Sequence, residues 1–91
     1  MKPDKLSIIK KIKNQNWVDI SLKELYELEK IGFTVERGTK HHIVYHVGLV
    51  NSPTKFSSGN IVIGAHKKDK ERLDYNAVQD LKQAFKFFGY L

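Results

Sequence analysis

Gly38-Thr39-Lys40-His41-His42-Ile43-Val44-Tyr45-His46 begins as a turn and ends as a strand. Gly38 gives the backbone room to bend. Beyond Lys40 the chain is rich in β-branched and aromatic residues, which suit a pleated, half-buried surface. Side chains alternate along a strand. His41, Ile43 and Tyr45 therefore share one face, and His42, Val44 and His46 share the other. Upstream, Phe33-Thr34-Val35-Glu36-Arg37 alternates apolar and polar residues and reads as a partner strand, which makes the pair an antiparallel hairpin. The second strand is expected to run on through Val47 to Val50. Neither of its faces is cleanly apolar, so alternation alone leaves open which one is buried. Three of the chain's four histidines fall in this stretch. An imidazole titrates near neutrality, and His41 at the mouth of the turn is a candidate acid or base.

Helices flank the hairpin. On its N-terminal side, Ser21-Leu22-Lys23-Glu24 is a capping box: the serine hydroxyl accepts the Glu24 amide, and the Glu24 carboxylate reaches back to the Ser21 amide. Leu22, Leu25, Tyr26, Leu28 and Ile31 then supply an apolar stripe, and Gly32 supplies a left-handed stop. Glu24, Glu27 and Glu29 are expected on the solvated face. A shorter helix is expected over residues 4–14, with Leu6, Ile8, Ile9 and Ile12 inward and lysines outward. Pro3 and Asp4 suit its first turn. Asn14-Gln15-Asn16 breaks it, and Trp17, Val18 and Ile20 form an apolar connector. On the C-terminal side, residues 51–59 have loop composition and Asn60 to Ala65 read as a third strand. A charged connector from His66 to Arg72 leads to a last helix. Asp74 is its cap, Tyr75, Val78, Leu81, Phe85 and Phe88 form its stripe, and Gly89 ends it. The order predicts an α+β domain: a three-stranded antiparallel sheet with two amphipathic helices on one face, plus an extra short N-terminal helix.

A chain of 91 residues makes one domain with a limited core. It has no cysteine, so disulfides and thiolate metal sites are ruled out. Its longest apolar run is far too short to span a bilayer, and the N-terminal lysines are not followed by a signal-peptide core, so the expected location is cytoplasmic and no membrane partner is expected. The net charge is +6, which favours polyanions. Residues 1–15 carry Lys2, Lys5, Lys10, Lys11 and Lys13 against Asp4. Residues 66–72 carry Lys67, Lys68, Lys70 and Arg72 against Asp69 and Glu71. Either cluster is a candidate RNA-backbone contact or simply a solvated face.

The capped helix ending in Gly32-Phe33, the strand after it, the Gly38–His46 run, the Ile61-Val62-Ile63 strand and the terminal helix together resemble the HicA family, small toxins of bacterial toxin–antitoxin pairs. The resemblance covers roughly residues 21–88, with residues 5–20 as a leading helical extension; residues 1–91 then form a single HicA-like domain. It implies a fold like that of double-stranded-RNA-binding domains. It also implies metal-independent cleavage of mRNA and neutralisation by a HicB-like antitoxin. His41 falls where the family's catalytic histidine sits and His46 on its second. The turn is one residue longer than the family's Gly-Ser-His, so His42 stands as a second catalytic candidate.

RNA carries its own nucleophile, the 2′-hydroxyl. A cleaving protein has only to move protons and steady the phosphate, and general acid–base help is worth about 10²–10⁴-fold. His41 is the expected acid or base. Lys40 is the expected phosphate contact, with Lys10, Lys11, Lys13, Lys67, Lys68 and Lys70 along the strand of RNA. No cofactor is expected. A metal site on His42 and His46 would lack the further ligands a closed zinc site wants. His46 reads as structural and His66 as solvent-exposed. Two other function classes share this pattern: a non-catalytic RNA-binding module, separated by salt-sensitive binding without cleavage, and a protein-binding domain, separated by failure to bind RNA.

Overall fold

The computed structural model describes residues 5–16, 20–38, 41–64 and 71–91. Strands β1 (Thr34–Arg37), β2 (His41–Tyr45) and β3 (Asn60–Gly64) form an antiparallel sheet in the order β1-β2-β3. Val35 pairs with Val44 and Arg37 with His42 across the hairpin; Val44 pairs with Ile61 and His42 with Ile63 on the other side. Val44, Ile61 and Ile63 are fully buried, so this row faces the core. His41, Tyr45 and Val62 lie on the opposite, open face, and all three are exposed. β3 ends at Gly64; Ala65, the expected last strand residue, lies outside the described residues.

The last helix packs on β3 and the segment Tyr26–Ile31 on β1, while the first helix packs against the other helices. Helix α1 (Ser7–Lys13) buries Ile8, Ile9 and Ile12, with Leu6 just ahead of it. Pro3, Asp4, Trp17 and Val18 lie outside the described residues. Helix α3 (Tyr75–Phe88) buries Ala77, Val78, Leu81, Ala84 and Phe85. Asp74 caps it by accepting the Ala77 amide at 2.7 Å. Gly89, at φ 79°, supplies the left-handed stop. Tyr75 is not part of the buried stripe; it is exposed in the first turn.

The segment after Ser21 departs from the expected single α-helix. One α-turn, α2 (Leu22–Leu25), gives way to a 3-10 helix over Tyr26–Ile31. The spacing supplies the reason. Leu22, Leu25, Leu28 and Ile31 recur every three residues, and three residues make one 3-10 turn, so the tighter helix stacks them on one side. Gly32, at φ 97°, ends the segment as expected.

The second hairpin strand also stops sooner than expected. The His46 imidazole accepts the Gly48 amide through Nδ1 at 2.8 Å and turns the chain into a 3-10 helix over Val47–Leu49. The ring itself packs on Phe33 and Phe88, with centroids 4.6 and 4.5 Å away. His46 is therefore a structural residue. The loop that follows is anchored by Phe56, which is buried in the core.

Candidate functional site

Because neighbouring strand residues face opposite ways, the hairpin end of β2 presents two histidines in two environments. His41, the first residue of β2, projects from the open face and is exposed. Its cross-strand partner is Gly64. The absent side chain at Gly64 makes room for a carboxylate: a Cβ there would lie 2.5 Å from Asp74 Oδ2 and 3.8 Å from His41 Cδ2. The Asp74 amide also donates to the Gly64 carbonyl at 3.1 Å. The cap residue of α3 and the His41 ring thus both border the space beside Gly64. Sequence marks Asp74 as a cap; its place beside Gly64, the cross-strand partner of His41, depends on the strand register.

His42 faces inward and is 9% exposed. It lines a cleft of about 510 Å3. Ser21, Leu22, Lys23 and Tyr26 form the helical wall of that cleft. Arg37 and Glu71 also line it. Burial, together with the nearby Arg37 guanidinium, lowers the His42 pKa, so its neutral form is favoured. Among the described residues neither Arg37 nor Lys23 forms an ion pair with a carboxylate. The sequence reading paired no other residue with His42, because the lining comes from separate segments.

Of the lysines singled out by sequence, Lys10 and Lys13 are exposed on α1. Lys11 is paired with Glu24 at 2.7 Å, so its ammonium already has an anionic partner. Lys40, Lys67, Lys68 and Lys70, with His66, lie outside the described residues.

Glu24 corrects the expectation of a solvated carboxylate. The capping box forms, with the Ser21 amide donating to Glu24 Oε1 at 3.2 Å. The same carboxylate also accepts from the Ser7 hydroxyl and the Lys11 ammonium of α1. Burial has the largest single effect on its titration and works upward. The hydrogen bonds from Lys11, Ser7 and the Ser21 backbone, with the Lys11 charge, outweigh burial and hold the carboxyl below its ordinary value. Glu24 thereby fixes α1 to the helical wall of the cleft. Glu27 is half-buried and Glu29 exposed.

Among the described residues no group of three or more His, Cys, Asp or Glu side chains is arranged to hold a metal ion, and no helix is long and apolar enough to cross a membrane. Comparison with protein-family models, with curated proteins and with solved structures finds no match.

Proposed function

We propose that the chain is a metal-independent endoribonuclease of the HicA type, which cleaves mRNA and is held silent by a HicB-like antitoxin. One observation carries the reading: His41 is exposed at the start of β2, on the sheet face that none of the described helices covers. An RNA strand lying along this face can bring a ribose hydroxyl to the imidazole. His42, at 9% exposure, is far less accessible to a ribose hydroxyl.

In the proposed reaction His41 takes the proton of the 2′-hydroxyl. The 2′-oxygen attacks the adjacent phosphorus, a 2′,3′-cyclic phosphate forms, and the bond to the 5′-oxygen breaks. The departing oxygen takes up a proton and leaves as a 5′-hydroxyl. The net charge of +6 supports attraction of the polyanion.

The test is expression without a partner protein. The parent chain should arrest growth and shorten cellular messages, and His41→Ala should abolish both while keeping the far-UV spectrum of the parent. Undiminished toxicity in that variant removes His41 from the chemistry. RNA binding that weakens with salt, without any cleavage, would instead make the chain a non-catalytic RNA-binding module.

A further inference from the structure

The cleft behind His42 takes no part in the reaction proposed above. Its volume of about 510 Å3 falls in the range of small-ligand sites, about 300–1,000 Å3. Its lining is divided by chemistry. Tyr26 and Leu22 give an aromatic and an aliphatic surface on the helical side. Arg37 and Lys23 bring two positive charges, with the His42 imidazole also in the lining. Arg37 is the direct cross-strand partner of His42, so its guanidinium and the imidazole start from adjacent backbone positions on the same sheet face. Among the described lining residues Glu71 is the only carboxylate. Cationic groups beside an aromatic wall are what a nucleotide requires: a phosphate for the charges and a base for the ring.

We propose that this cleft is a subsite for one phosphorylated nucleotide, holding its phosphate at Arg37 and Lys23 and its base against Tyr26. With the RNA-cleaving reading as its premise, the subsite holds a nucleotide of the strand whose neighbouring phosphate lies at His41. His41 and His42 are consecutive and point to opposite faces, so a strand that reaches both must bend round this end of the sheet, from the open face to the cleft. The subsite then fixes the register of the RNA, and the exposed imidazole does the chemistry.

The experiment is an NMR titration of the full chain with adenosine 5′-monophosphate, inorganic phosphate and adenosine, each used separately. The monophosphate should move the ring resonances of His42 and Tyr26 at lower concentration than either fragment. It should also raise the titration midpoint of His42, because a bound phosphate favours the imidazolium. Arg37→Gln and Lys23→Gln should each weaken binding about tenfold, and both positions are exposed, so neither change removes core packing. Unmoved His42 and Tyr26 signals, or unchanged affinity in both variants, overturns the subsite. Phosphate binding as tightly as the monophosphate also overturns it, since the base then contributes nothing. An RNA-cleavage assay separates the two readings. Cleavage without monophosphate binding removes the subsite alone. Monophosphate binding that survives in a chain unable to cleave RNA supports the subsite and removes the nuclease.

Discussion

Replacing Glu24 with alanine should destabilise the domain by about 2–3 kcal/mol, although a glutamate in the first turn of a surface helix looks expendable. Three contributions add. The reciprocal half of the capping box is lost, and helix caps are worth about 1 kcal/mol. The Ser7 hydroxyl loses its acceptor, at about 1 kcal/mol for a part-buried hydrogen bond. The Lys11 ion pair goes too; with side chains 25% and 15% exposed it lies between surface and buried cases and is worth about 0.5–1 kcal/mol. In a domain of this size each kcal/mol moves the melting temperature by about 4–8 °C, so the shift is roughly 10–20 °C. Urea unfolding followed by circular dichroism should show a lower midpoint at an unchanged slope. Glu24→Gln keeps an acceptor for Ser21 and removes only the charge, so it should lose roughly half as much. Its deficit has a pH signature. The folded-state pKa of Glu24 lies below the unfolded value, so the charge stabilises above the ordinary carboxyl range and ceases to do so as pH falls through the depressed folded value. Parent and glutamine variant should therefore converge in acid. A Glu24→Ala chain within about 0.5 kcal/mol of the parent would refute the claim that this carboxylate joins α1 to α2.

Two further outcomes follow from burial and backbone geometry. Burial lowers the pKa of both His46 and His42, the latter with help from Arg37, so the unfolded chain binds more protons than the folded one just below pH 6.5. Stability is then complete above that value and declines as pH falls towards the depressed folded-state values. A urea midpoint flat from pH 7.5 to about 5 would contradict this, and His46→Phe should reduce the slope. Gly59→Ala should cost about 2 kcal/mol or more: φ is +91°, and the added Cβ would lie 2.5 Å from the Tyr45 ring and 3.0 Å from Val50 Cγ2. An unchanged melting temperature there would mean that Tyr45 moves aside at no cost.

What could be read from sequence was what depends on near neighbours. The capping box spans three residues, the stops at Gly32 and Gly89 follow their helices directly, and the α3 stripe repeats within one element. The 3-10 segment sits at the limit of that kind of reading, because apolar residues three apart fit either helix until packing selects one. What stayed hidden was non-local. Ser7 and Lys11 reach Glu24 across 17 and 13 residues, and the cleft gathers α2, both hairpin strands and Glu71.

The two histidines show where the boundary falls. Alternation established that His41 and His42 face opposite ways, and it could not say which faces out, since each side of β2 mixes apolar and polar residues. The partner strand decides. Ile61 and Ile63 are fully buried and pair with Val44 and His42, while Val62, on the other face, is 56% exposed and pairs with Ile43. Sliding β2 by one residue would bring Val44 out and carry His41 inward, so burial of a valine and two isoleucines in the inner row is what keeps His41 in solvent. His41 stays outward as long as Val44 keeps its place against Val35 and Ile61.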